Sequence, residues 1–89
     1  MKDTPNFRLA LGQVIREHRE KRNLTRKQLA AETGISDSHI RVIEMRNRNP
    51  TVTVFVLIAE AYEIAPEELL REIRQRQAYL NDKDLADQT

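Results

Sequence analysis

The chain of 89 residues contains no cysteine and no tryptophan, and only two histidines and two glycines. Without cysteine it has neither a disulfide framework nor a thiolate metal site. His18 and His39 do not have the HExxH-like spacing of a zinc site, and no glycine-rich phosphate loop is present. The carboxylates fall on predicted solvated helix faces. We therefore predict a protein that is not an enzyme, with no catalytic residue, no metal and no cofactor.

Long apolar runs are also missing from the sequence. The longest, at residues 54–59, is far too short to span a bilayer. The N-terminal sequence MKDTPNFR lacks the apolar core of a signal peptide. A chain of this length forms one small domain with a modest core. We predict a cytoplasmic protein that does not contact a membrane.

The charges nearly cancel but are unevenly distributed. The formal net charge is +1, yet residues 16–27 and 41–48 are rich in arginine and lysine, and most of the acidic residues follow position 59. A basic face opposite an acidic side favours nucleic acid as a partner. The alternative is an ordinary solvated helix surface, since summed charge by itself says little about partners.

The segment at residues 25–44 indicates two short helices joined by a tight turn. Thr25 and Gln28 are three residues apart and form a capping box at the start of the first helix. Gly34 adopts a positive φ at no steric cost and ends that helix. Ser36 is a good N-cap for the second helix, whose two isoleucines share one inner face. This is the helix-turn-helix pattern.

Apolar residues at helical spacing, with caps and breaks between them, predict five helices. Their approximate limits are residues 7–22, 26–33, 37–45, 52–63 and 66–80. We expect the domain to cover residues 6–80 and residues 81–89 to form a polar tail. His18 lies on the apolar side of helix 1, where we interpret it as a packing residue.

Predicted helix 4 is apolar on nearly every side, which is unusual for a surface helix. In so short a chain, we expect its second apolar side to face another copy of the protein. Its β-branched residues also leave a strand open, although its length favours a helix. A narrow apolar stripe on helix 5 continues this surface. The predicted dimer interface consists of Val54, Leu57, Ile58, Ala61, Ile73 and Leu80.

The motifs together resemble a known family, the lambda-repressor-like, Cro/C1-type (XRE family) helix-turn-helix DNA-binding domain. The resemblance covers residues 11–69 without insertions. It rests on Leu11-Gly12, Arg19, Leu24-Thr25, Leu29-Ala30, Gly34-Ile35-Ser36, Ile40, Ile43-Glu44, Arg48-Asn49-Pro50 and Ala59. It implies an all-α, five-helix fold, here with an extended C-terminal helix, and a homodimer that binds double-stranded DNA.

The resemblance also implies an ion pair between Arg19 of helix 1 and Glu44 of helix 3. The sequence departs from the family pattern at three positions. Arg26 stands where the family has glutamine, so a DNA contact changes from an amide to a cation. Arg46 stands where the family turns with a glycine, which leaves the path of the loop after helix 3 in question. Glu63 stands where a glycine commonly ends the next helix.

In such a domain the N-terminal part of helix 3 meets base edges in the major groove. The candidate residues for these contacts are Ser36, Asp37, Ser38, His39, Arg41 and Val42. Arg41 could bind guanine or a phosphate, and Asp37 could accept from cytosine or stabilise the helix N-terminus. Candidate phosphate contacts are Arg26, Lys27, Arg46, Asn47 and Arg48.

The sequence therefore predicts a sequence-specific transcriptional regulator, a dimeric repressor that reads an operator with two half-sites through helix 3. The alternative is a protein-interaction module, such as an antitoxin that neutralises a partner protein, with DNA binding secondary. The low net charge and Asp37 favour that alternative.

Overall fold

The structure is a computed structural model that describes residues 4–45 and 48–87. All regular secondary structure in these residues is helical, so the predicted all-α, five-helix fold is confirmed and the strand alternative for residues 52–61 is wrong. The helices are α1 (Phe7–Lys21), α2 (Arg26–Thr33), α3 (Asp37–Glu44), α4 (Val52–Ala61) and α5 (Pro66–Asp87).

The predicted helix starts are made by side-chain caps. Both hydrogen bonds of the capping box are present, from Gln28 N–H to Thr25 Oγ1 (3.1 Å) and from Thr25 N–H to Gln28 Oε1 (2.8 Å). Ser36 accepts from a backbone N–H in α3, and Thr51 does the same in α4. Gly34 ends α2 with φ +76°, in the left-handed region. The sequence thus specified these boundaries through local chemistry.

Helix α5 is longer than predicted, because it continues to Asp87 instead of ending near Leu80. The predicted end of this helix near Leu80 is therefore wrong, whereas residues 88–89 lie outside the described part of the chain. The segment at residues 81–87 is polar but contains neither proline nor glycine, the residues that most strongly oppose a helix. The Asn6 amide also donates to Asn81 Oδ1 and Asp84 Oδ2, both at 2.8 Å, and ties the extra turns to the start of α1.

Helix α1 lies at the centre of the packing, in contact with both α3 and α5, while α2 contacts α3 and α4. The buried apolar core consists of Ala10, Leu11, Val14, Ile15, Leu29, Ile35, Ile40, Ile43, Ile58, Ala59, Tyr62, Leu69 and Ile73. Inside it, the Tyr62 hydroxyl donates to the carbonyl oxygen of Ile15 at 2.9 Å. Burial raises the pKa of Tyr62 above its ordinary value, so the hydroxyl stays protonated and can donate.

Gly12 allows α1 to approach the end of α3 at backbone distance. A Cβ atom at this position would lie 2.7 Å from the carbonyl oxygen of Glu44 and 3.0 Å from that of Ile43. These neighbours are backbone atoms, which cannot move aside as a flexible side chain can. Glycine at position 12 is therefore required for the close crossing of α1 and α3.

His18 is a packing residue, in agreement with its interpretation from the sequence. Its ring stacks on Tyr62 with 5.8 Å between centroids. Arg22 Nη1 lies 2.9 Å from His18 Nδ1, and His18 Nε2 lies 2.6 Å from Glu72 Oε2. Because a guanidinium only donates, His18 Nδ1 accepts the hydrogen bond from Arg22. The N–H group at Nε2 therefore donates the hydrogen bond to Glu72. This cluster joins α1 to α5.

Two residues of the predicted dimer interface are buried inside the monomer. Ile58 and Ile73 have 0% exposed surface, so they offer nothing to a partner in this fold and their assignment to a dimer interface is wrong. They point inward because α4 packs against α2 and α5, and α5 packs against α1 and α4. The periodicity of one helix cannot show such contacts. The other four, Val54, Leu57, Ala61 and Leu80, are partly buried against the core.

Candidate nucleic-acid interface

Helices α2 and α3 with the turn at Gly34 form the helix-turn-helix. Its inner side is closed by Leu29, Ile40 and Ile43, each with 0% exposed surface. The outer side of α3 presents the residues predicted to meet base edges. Ser36, Ser38 and Arg41 are exposed, and Asp37, His39 and Val42 are partly exposed. The same helix therefore has one face that holds the fold and another that is free to contact a ligand.

The end of α3 is fixed to α1 by the predicted ion pair. Arg19 Nε lies 2.7 Å from Glu44 Oε2, and Arg19 Nη2 lies 3.0 Å from Glu44 Oε1, a bidentate arrangement. A third hydrogen bond runs from Arg19 Nη1 to the carbonyl oxygen of Leu24 at 2.8 Å. The Glu44 carboxylate accepts hydrogen bonds from Arg19 and so raises the pKa of that guanidinium. The pair holds α3 at a defined angle to α1.

Arg26, which replaces the family's glutamine, lies beside α3. Its Nε is 3.8 Å from Asp37 Oδ1, and its Nη1 is 3.9 Å from Glu44 Oε1. These separations exceed those of hydrogen bonds, so neither of these two carboxylates accepts a hydrogen bond from the guanidinium. With 40% of its side chain exposed, Arg26 can reach a phosphate beside the start of α3.

The structure resolves one part of the question about Asp37. Ser36 Oγ accepts from the backbone N–H of His39 at 3.1 Å, so Ser36 supplies the cap of α3. Asp37 is the first residue inside the helix and faces Arg26, where its charge suits both the cation and the helix N-terminus. Its contact with a base stays a prediction.

An open polar pocket of about 550 Å³ lies between the end of α1 and the start of α2. Its lining residues are Arg16, Arg19, Glu20, Asn23, Leu24, Thr25 and Arg26. The sequence analysis noted the basic segment here but did not select Arg16 or Asn23. Positions 16, 19 and 23 follow each other at helical spacing, and this periodicity was the available signal. The pocket adds cationic and amide donors next to Arg26.

The other predicted phosphate contacts are only partly covered by the structure. Lys27 and Arg48 are exposed. Arg46 and Asn47 lie outside the described residues. The expectation about the path of the loop, where Arg46 replaces the family's glycine, therefore also lies outside them. Glu63, which also stands where the family commonly has glycine, adopts the left-handed conformation of a glycine, with φ 56°.

Within residues 4–45 and 48–87, no three histidine or acidic side chains are arranged to hold a metal ion.

Residues 15–69 match the profile of the helix-turn-helix family, Cro/C1 type. The chain belongs to this family. Its members are DNA-binding transcription regulators, which agrees with the exposed outer face of α3. In the part of the chain that the structure describes, no helix is both long and apolar enough to cross a membrane.

Two curated relatives and one solved structure are similar to this helix-turn-helix chain. An immunity repressor protein of Bacillus phage phi105 is 32% identical over 89% of the chain, which spans only 57% of that repressor's length. Control protein C.SmaI of Serratia marcescens is 30% identical over 67% of the chain and 71% of its own length. The clp gene regulator ClgR from Corynebacterium glutamicum shares the fold, with a TM-score of 0.83 at 22% identity over 96% of this chain and 92% of its own.

Proposed function

We propose that this protein is a dimeric repressor that inserts α3 into the major groove of an operator with two half-sites. The observation that carries the proposal is the division of α3 into two faces, with Ile40 and Ile43 fully buried and the side of Ser38 and Arg41 exposed. Family membership supports DNA as the ligand. The phage relative named as an immunity repressor supports the direction of regulation.

In this proposal, Arg41 and Val42 read base edges one turn into α3. Arg41 can donate two hydrogen bonds to guanine O6 and N7, and Val42 can contact a thymine methyl group. Ser36, Ser38 and His39 lie nearer the helix start and provide adaptable polar contacts. Asp37 can accept from cytosine N4, which would make it a selector against other bases at that position.

Phosphate contacts come from the cations around α3. Arg26 and Lys27 open α2, whose free backbone N–H groups also favour a phosphate, and Arg48 follows α3. Arg46 and Asn47 complete this set as predicted from the sequence. Such contacts set the register of the protein on DNA and make binding dependent on salt.

A dimer with two-fold symmetry would place two α3 helices in successive major grooves, about 34 Å apart. It would therefore recognise an operator with related half-sites, and would repress where that operator overlaps a promoter. The proposal includes the cytoplasmic location predicted from the sequence, since a repressor acts on DNA there.

The test begins with selection of bound DNA from a random pool, which identifies the operator. The variant Arg41→Ala/Arg48→Ala then loses one proposed base contact and one proposed phosphate contact. We expect its Kd for the operator to rise about 100-fold, because a base contact alone contributes about 1–3 kcal/mol. The slope of log K against log salt should also become shallower by about 0.9.

The matched control is Arg71→Ala/Arg74→Ala, which removes two exposed cations from α5. It changes the net charge by the same amount, so it should alter operator affinity only slightly. Unchanged affinity in the Arg41→Ala/Arg48→Ala variant would contradict the proposed site and would favour the protein-interaction alternative.

A further inference from the structure

Side chains from α1, α5 and the end of α4 meet in one partly buried group, the His18 cluster, which consists of His18, Arg22, Tyr62 and Glu72. We propose that this cluster is a pH-sensitive switch, in which protonation of His18 releases Arg22 from the end of α4. The inference goes beyond the proposed function, because no residue of the cluster belongs to the proposed DNA-binding face.

Arg22 joins α1 to the C-terminal end of α4. Its Nη2 donates to the carbonyl oxygen of Tyr62 at 2.8 Å, and its guanidinium carbon lies 4.9 Å from the centre of the Tyr62 ring. Carbonyl groups at the end of a helix lack partners within that helix and carry partial negative charge. The last turn of α4 has no basic residue of its own, so Arg22 supplies the cation from a different helix.

His18 holds Arg22 in this position through the lone pair of Nδ1. Arg22 Nη1 lies 2.9 Å from His18 Nδ1 and 3.0 Å from the carbonyl oxygen of the same residue. A guanidinium has donors only, so Nδ1 must be unprotonated for this contact. A proton on Nδ1 would set one N–H group against another and would place a second positive charge beside the first. The guanidinium would therefore be displaced.

Glu72 determines which nitrogen of His18 receives the added proton. The other ring nitrogen, Nε2, lies 2.6 Å from Glu72 Oε2 and already carries the hydrogen that it donates to this carboxylate. An added proton must then go to Nδ1, the atom that faces Arg22. The imidazolium would keep its contact with Glu72 as a charge-assisted hydrogen bond. Protonation thus strengthens the link between α1 and α5 and breaks the link between α1 and α4.

The surroundings of His18 make this conflict of charges effective. Only 13% of its side chain is exposed, so water screens the two cations poorly. The Tyr62 ring stacks on the imidazole at 5.8 Å between centroids, and burial raises the pKa of its hydroxyl, which stays neutral. Glu17, next to His18 in the chain, has both carboxylate oxygens bound by Arg76 at 2.7 Å. The response of the cluster to mild acid therefore depends on His18.

Amide hydrogen exchange, measured by NMR at about pH 8 and about pH 5, tests the inference across the range in which histidine side chains change charge. The reporters are the N–H groups of residues 62–64, which donate to carbonyl oxygens of α4. Each rate is divided into that of an unstructured chain at the same pH, which gives a protection factor. We expect these factors to fall about tenfold at the lower pH, because a hydrogen bond from a charged group contributes at least that much. The N–H group of Ile40 in the core of α3 reports global unfolding, and its protection should change much less.

Two variants separate the parts of the switch. His18→Gln is neutral at both pH values and should abolish the response at residues 62–64. Arg22→Met keeps the apolar stem but removes the guanidinium, so protection there should be low at both pH values. The matched control is His39→Gln, which removes the other histidine of the chain and should keep the wild-type response. Equal protection of the wild type at both pH values, or a response that persists in His18→Gln, would overturn the inference.

Nitrogen-15 NMR of the wild-type imidazoles tests the inference without any variant. At about pH 8, His18 should carry its hydrogen on Nε2 and none on Nδ1. A hydrogen on Nδ1 at that pH would overturn the inference. Operator binding by the Arg41→Ala/Arg48→Ala variant is a separate measurement, so the failure of one proposal can be distinguished from the failure of the other.

Discussion

The guanidinium of Arg19 binds both carboxylate oxygens of Glu44, at 2.7 and 3.0 Å, across the junction of α1 and α3. Only 2% of the Glu44 side chain and 11% of the Arg19 side chain are exposed. The pair lies at the end of the helix that we propose to enter the major groove. Its geometry therefore links the stability of the fold to the orientation of the DNA-binding face.

Glu44→Gln should destabilise the protein, because Arg19 would keep its charge in a poorly solvated site without a compensating carboxylate. We expect a loss of about 2–3 kcal/mol, somewhat below the range for breaking fully buried pairs because Arg19 retains some exposure. The measurement is the free energy of unfolding from urea titration. The control Glu20→Gln removes an exposed carboxylate whose partner Arg16 is 3.6 Å away, and should cost well below 1 kcal/mol. Equal stability of the two variants would refute a structural role for the pair.

Glu63→Gly should stabilise the protein. Glu63 has φ 56° just after α4, and the left-handed region costs a residue with a side chain roughly 1–2 kcal/mol. The greater freedom of glycine in the unfolded chain offsets part of this, so we expect a net gain of about 0.5–1 kcal/mol. A thermal melt measures the gain. The same change within α4, Glu60→Gly, should instead lower stability by about 1 kcal/mol, and a similar response at both positions would contradict the strain argument.

The contact between Glu17 and Arg76 should make stability depend on acid pH. Hydrogen bonds from Arg76, at 2.7 Å to each carboxylate oxygen, lower the pKa of Glu17 below its ordinary value of 4.5. A carboxyl group with a lowered pKa in the folded state stabilises the protein above 4.5, and this contribution is lost as pH falls through the folded-state pKa. Since 55% of the Glu17 side chain is exposed, the effect should stay below about 1 kcal/mol.

Urea titrations of the wild type and of Glu17→Gln, at neutral pH and in acid, measure this effect. The wild type should be the more stable protein at neutral pH, and the difference should disappear in acid. A difference that persists in acid would show that Glu17 acts through packing and not through its charge.

Asp37→Asn should strengthen binding to DNA of arbitrary sequence. Asp37 faces Arg26 at 3.8 Å and would repel nearby phosphates, so its neutralisation should free the guanidinium and raise non-specific affinity about threefold to tenfold. Fluorescence anisotropy with a scrambled duplex and with the operator checks this. If Asp37 reads a cytosine, the same variant should lose discrimination at one operator position. Glu32→Gln, which removes one exposed charge near the end of α2, is the control and should leave both affinities nearly unchanged.

Much of the fold was predictable because local rules govern it. Thr25, Ser36 and Thr51 cap helices by bonds to residues three positions away, and Gly34 ends α2 through its own backbone freedom. The end of α5 was not predictable in this way. Its last turns depend on Asn6, 75 and 78 residues distant from its two partners, and no local pattern reports such a contact.

The candidate site also has features that followed from the sequence and features that depended on how the helices pack. The residue types of the proposed DNA-binding face, and the identity of the Arg19–Glu44 pair, followed from the sequence and its family resemblance. Arg16 entered the site only because the end of α1 packs beside the start of α2. The presence of Asp37 was evident, whereas its position opposite Arg26 depended on the angle between α2 and α3.

The sequence by itself determined five helices, the helix-turn-helix and its outer face, because helix propensity, capping and apolar periodicity act over a few residues. Only the tertiary structure decided which apolar residues remain for a partner. Ile58 and Ile73 belong to apolar stripes but are fully buried in the core of the monomer. Val52 and Leu70 remain exposed and line an apolar groove. Periodicity shows that a helix face is apolar, but burial depends on which other helices reach that face, and this is a property of the folded chain alone.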